Sequence, residues 1–116
     1  MSKRIRFTVI FSSPAFPYEA VLDWLGPKLG EAFSGACCEA IDGFWSADGE
    51  EDKAQFLPGQ HEEGMRVLVS VTPERREAAL FELQTLLQAM KDALDLPLQW
   101  IHVEEEEVIA RHFRLA

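Results

Sequence analysis

Apolar and polar positions alternate cleanly from Met65 onward: Met65, Val67, Val69 and Val71 share one face, and Arg66, Ser70 and Thr72 share the other. That period of two is the mark of a half-buried strand, with Leu68 as an apolar exception on the polar side. Thr72 then stands at an N-cap position, with Pro73 first in the helix and Glu74 in its first turn, so a helix is predicted to begin here. At 100° per residue, Ala79, Leu80, Leu83, Leu86, Leu87, Met90, Ala93 and Leu94 fall on one arc, while Glu77, Gln84, Gln88 and Lys91 fall outside it. The helix is expected to stop before Pro97, which disfavours helical geometry at Leu96 and has no N–H to donate. Phe81 lies off the arc, beside Gln88 and Asp92, either as a partly covered surface residue or as a dimer contact.

The same two periods recur nearer the start. Ile5, Phe7, Val9 and Phe11 alternate with Arg4, Arg6 and Thr8, and Ile10 is the exception. After Ser12-Ser13-Pro14, Pro17 opens a helix whose stripe is Tyr18, Val21, Leu22, Leu25, Leu29, Ala32 and Phe33, with Trp24 off the stripe. Pro27 interrupts it, and a kink or a break into two short helices is predicted near Leu25. Ser34-Gly35 reads as the helix stop, and residues 36–47 read as a strand with a bulge at Gly43. Residues 46–64 are acidic, with turn signals at Asp48-Gly49 and Pro58-Gly59; a stretch this long is either a binding loop or a disordered excursion. Leu98 to Val103 reads as a last strand running into Glu104 to Glu107, where an interruption is expected because glutamates are poor strand formers. Short extra strands are allowed within 50–60, around Ala54 to Leu57, and within 108–113.

The predicted order is β, α, β, β, α, β over a single domain, 1–116, with both helices on one face of an antiparallel sheet. This is the ferredoxin-like α+β sandwich. At the level of element order the chain resembles ACT-type and PII-like regulatory domains and the dimeric α+β-barrel proteins, but none of their motifs is present, so the resemblance carries no residue roles. In the strand order assumed for this fold, the first and third strands are central, parallel neighbours and the last lies antiparallel beside the first.

Composition narrows the function classes. Twenty acidic against eleven basic residues give a net charge of −9, which disfavours nucleic acid and anionic membranes. No apolar run approaches the roughly 20 residues of a membrane span, and MSKRIRF does not lead into a signal-peptide core, so a cytoplasmic location is expected. Cys37 and Cys38, adjacent and poorly placed to bond each other, offer no disulfide framework and suit a reducing compartment.

With odd-numbered residues inward, the face left uncovered by the helices would carry Arg4, Arg6 and Thr8, then Arg66, Leu68 and Ser70, then Trp100, His102 and Glu104. One reading is cross-strand charge pairing on a solvated surface. The other is a ligand-binding face at Arg4, Arg6, Arg66, Trp100, His102 and Glu104, taking a small anionic metabolite or forming a sheet-to-sheet dimer around it. His102 and Glu104, two residues apart, could also serve as two metal ligands or as an oriented general base, but HExxH, HxH, paired CxxC, phosphate-loop and GxSxG patterns are absent, so neither a metal site nor a cofactor is expected.

Three functions follow from this. The first is a non-enzymatic homodimeric module that binds a small ligand or a protein through its open sheet face. The second is an acidic inhibitor or immunity-type protein with a basic partner. The third is a small enzyme of the dimeric α+β-barrel type using His102 or His112 as acid/base.

Overall fold

The computed structural model describes residues 2–46 and 56–116, the side chains at 46 and 56–60 excepted. Four strands and two helices follow one another as β1 (Ser2–Ser13), α1 (Tyr18–Phe33), β2 (Cys37–Ser46), β3 (Phe56–Val71), α2 (Arg76–Leu94) and β4 (His102–Ala110). The sheet order is β2-β3-β1-β4, and every neighbouring pair is antiparallel. This is the ferredoxin-like α+β architecture expected from the alternation of periods. The expected parallel pairing of β1 and β3 is wrong: Ile5 stands opposite Val71 and Ser13 opposite Glu63, so the two run in opposite directions. The β2–β3 hairpin reverses the chain, and β3, inserted between β1 and β2, must therefore oppose both.

One layer of core lies between sheet and helices. β1 supplies Ile5, Phe7, Val9 and Phe11, β3 supplies Met65, Val67, Val69 and Val71, and each is at most 3% exposed. Val21, Leu25, Leu29 and Phe33 of α1 and Ala79, Leu83, Leu87 and Met90 of α2 close it from the other side. Each buried large side chain contributes about 1.5–3 kcal/mol, so this stripe-on-stripe contact is what makes the helices form here.

That packing overrides several local signals. The break predicted at Pro27 does not occur, and α1 is one helix from Tyr18 to Phe33. Pro27 and Asp23, whose carbonyl it leaves without an intrahelical partner, are both exposed to water while the buried stripe runs on past them. Ser34 ends α1 in the left-handed conformation. At the start of α2, Thr72 makes no side-chain cap; its carbonyl instead accepts from Arg75 N at 3.0 Å, closing a single 3₁₀ turn over Pro73–Arg75 before the α-helix begins. α2 ends before the proline boundary, where Asp95 turns left-handed and the amides of Asp95 and Leu96 both reach the Lys91 carbonyl.

The strands differ from expectation in three places. β3 starts at Phe56, so Phe56 and Leu57 are its first residues rather than a separate short strand, and Pro58-Gly59 is no turn; Ala54 and Gln55 lie outside the described residues. The irregularity expected at Gly43 falls two residues later, at Trp45, where the register jumps from Phe44–His61 to Ser46–Phe56, and Pro58, which cannot donate to a ladder, sits among the β3 residues skipped there. Gly43 has a different reason to be glycine, because a Cβ there would lie 2.4 Å from the Trp45 indole nitrogen. β4 starts at His102, not Leu98. Leu98 is instead buried in the core, and its carbonyl accepts from Lys91 Nζ, which holds residues 98–101 against α2. Glu104 to Glu107 run through β4 without interruption, 108–110 finish the same strand, and 111–116 have no regular structure.

Candidate functional site: the uncovered sheet face

The strand register sets residues of neighbouring strands side by side in rows on the face opposite the helices. Cys37, Leu68, Thr8 and Glu104 form one row, and Glu39, Arg66, Ile10 and His102 the next. On one side lie Ser70, Arg6 and Glu106; on the other lie Ile41, Gly64 and Ser12. Thr8, Ile10, Ile41 and Leu68 are half-buried by their neighbours. Leu68, Thr8 and Ile10 adjoin one another, whereas the Glu39–Arg66 pair separates Ile41 from Leu68.

Charged groups share these rows, and the arginines are already engaged. Arg6 Nε and Nη2 both donate to Glu106 Oε1, at 3.0 and 2.5 Å. Arg66 pairs with Glu39 across β2 and β3, and Arg4 Nη2 donates to the Ser70 carbonyl at 2.9 Å. His102 Nε2 lies 2.9 Å from Glu104 Oε2. Of the six residues singled out from sequence, Arg4, Arg6, Arg66, His102 and Glu104 share this face, each beside the partner just named. Trp100 precedes β4 and is 59% exposed. The partners Glu39 and Glu106 were missed. Glu106 is the next same-face residue after Glu104 and was legible from alternation, whereas Glu39 needs the β2–β3 register.

At the far end of the face Trp45 Nε1 donates to Ser12 Oγ, which donates to Glu62 Oε1, both at 2.8 Å. The indole lies over Gly43, and Gly64 sits so close to β1 that a Cβ would be 2.2 Å from the Phe11 carbonyl oxygen. On the opposite side of this hairpin, His61 stacks on Phe44 at 4.7 Å between centroids and lies 2.9 Å from Asp42 Oδ1. Asp42 faces Glu63 directly across the strands, a like-charge pair.

The remaining reactive groups are scattered. Cys37 is exposed at the β2 edge, and partial burial, together with the adjacent Cys37 thiol, pushes the Cys38 thiol up. His112 is exposed beyond β4. Among the described residues no three His, Cys, Asp or Glu side chains are grouped to hold a metal ion, and no helix is long and apolar enough to cross a membrane. A concavity of about 290 Å³ lies off the sheet face, between α2 and residues 98–103.

Fold and face together define a ferredoxin-like α+β protein with a charge-paired, apolar-centred open sheet. No protein-family model matches the chain, and no curated protein matches it in sequence.

Proposed function

We propose that this is a non-enzymatic, homodimeric binding module that engages a protein partner through its open sheet face. The observation that carries the reading is the half-buried cluster of Leu68, Thr8 and Ile10 beside the internally satisfied pairs Arg6–Glu106 and Arg66–Glu39. An apolar centre with a polar rim is the anatomy of a protein contact. A pocket for an anionic metabolite would instead hold its arginine donors unengaged, and here Arg6 and Arg66 are neutralised by Glu106 and Glu39. Native mass spectrometry of mildly purified protein tests this. A retained partner lost on Leu68→Glu, with the circular dichroism spectrum unchanged, is expected, and a wild-type protein carrying no partner at micromolar concentration counts against it.

A second reading has its own support. Residues 42–63 contain seven of the twenty acidic residues and one basic residue, Lys53, and the Asp42–Glu63 pair has no Lys or Arg beside it in that segment. An acidic protein that meets a basic partner through this hairpin follows from that imbalance. Its complex should weaken steeply between low and high salt, which separates it from an apolar sheet-face contact.

A further inference from the structure

The groove beside β4 and the chain's last six residues have complementary chemistry and cannot meet within one molecule. The groove is lined by the apolar Leu83, Leu87, Leu98, Ile101 and Val103, with Gln84 and Gln88 along one wall and Gln99 and Lys91 completing it; the Lys91 ammonium is its one charged lining group and is held by the Leu98 carbonyl. Phe81, 69% exposed, continues that wall, because it lies three and seven residues before them on one helical stripe. Gln88 Nε2 donates to Asp92 Oδ1 at 3.1 Å, placing a carboxylate at the rim. At the other end of β4, Phe113 and Leu115 are 78% and 82% exposed, the two most exposed large apolar residues described. They alternate with Arg114, and Arg111 precedes them.

Reach decides between the same copy and another. From Val103 to Ala110 the strand advances by roughly 23 Å, and the groove extends away from the tail beyond Val103. Phe113 is three residues past Ala110, so it can be carried back by roughly 10 Å at most. Charge favours another copy of this chain. Segment 111–116 holds two of the eleven basic residues and none of the twenty acidic ones, so it is a cationic tail on a body with a net charge of −11.

We propose that residues 111–116 of one copy dock in the α2–β4 groove of a second copy, with Phe113 and Leu115 as apolar anchors and an arginine of the tail meeting Asp92 at the rim. Reciprocal exchange of two tails closes a two-fold dimer. This deepens the homodimer in the proposed function by naming its contact, and it leaves the open sheet face free for a partner.

Sedimentation equilibrium of the full chain, with Phe113→Ser/Leu115→Ser beside it, is the test. The tail is exposed, so the variant should fold as the wild type does. A wild-type dimer whose dissociation constant rises at least about tenfold in the variant is expected. A second arm titrates the variant with a fluorescent peptide of residues 110–116, which should bind saturably and fail to bind when Phe113→Ser/Leu115→Ser is built into the peptide. A wild-type monomer at 100 µM together with a variant that ignores the peptide, or a dimer unmoved by the tail variant, overturns the proposal. The Leu68→Glu result is independent of both arms, so failure here and failure of the sheet-face reading are told apart.

Discussion

Arg76 Nε donates to Glu105 Oε2 at 2.5 Å, tying the first residue of α2 to the middle of the edge strand β4. Arginine at a helix N-terminus opposes the helix dipole, and this contact explains its presence there. The glutamate raises the pKa of Arg76 further, first through this hydrogen bond and then through its charge. It is one of four such contacts along the acidic run: Glu104 meets His102, Glu106 meets Arg6, and Glu107 lies 3.8 Å from Lys3 Nζ. Four consecutive glutamates hold a strand because each side chain alternates to a face where a basic partner is waiting. They also make β4 a poor template for pairing with another strand edge, since a second β4 would bring carboxylate to carboxylate.

Arg76→Ala is therefore expected to lower the urea midpoint slightly at low salt and by less at high salt, because both partners are exposed and screened. A double-mutant cycle with Glu105→Gln should return a small favourable coupling. A coupling that grows with added salt would contradict the assignment.

Pro27→Ala restores an N–H that can reach the Asp23 carbonyl within an already continuous helix. The gain exceeds the added freedom of the unfolded chain, so stabilisation by about 1–2 kcal/mol is expected. Denaturant titration checks the sign, and a lower midpoint would show that the proline ring itself is packed.

Gly64→Ala drives a methyl group to 2.2 Å from the Phe11 carbonyl oxygen and toward Ser12, where backbone cannot yield cheaply. A loss of at least about 2 kcal/mol is expected. Gly30→Ala, in the exposed face of α1 with nothing within 4 Å, is the control and should be neutral or stabilising.

Phe7→Ala empties a fully buried site on the central strand. The expected cost is about 3–5 kcal/mol, a large share of the total stability of a domain this size. Thermal unfolding followed by circular dichroism reads it directly.

Cys38 has its thiol pushed up by burial, so the folded state prefers the protonated form. Stability from this group is complete below the unfolded thiol range and is lost as pH rises through the raised folded value. Iodoacetamide should label the exposed Cys37 before Cys38, and the alkaline loss of stability should shrink in Cys38→Ala. Equal labelling rates would argue against burial as the cause.

The centre of the core was legible in the sequence, although the stripe residues Tyr18, Leu22, Leu86 and Leu94 are only partly buried and the buried Phe16 and Leu96 lie outside any period. Ile5, Phe7, Val9 and Phe11, the odd positions of 65–71, and the stripes of α1 and α2 are all set by periods of two and 3.6, which any window of the chain displays. The candidate face was legible to the same extent, since Arg4, Arg6, Arg66, His102 and Glu104 follow from alternation alone. Tertiary structure decided the rest. The direction of β3 relative to β1, the pairing of Arg66 with Glu39 and of Arg6 with Glu106, the start of β4 at His102, and the survival of α1 through Pro27 all depend on which segments meet. Periodicity records how one segment divides between core and water. It carries no record of the partner 100 residues away, and the free energy of burial and cross-strand pairing that overrides a proline or a run of glutamates exists only once that partner is in place.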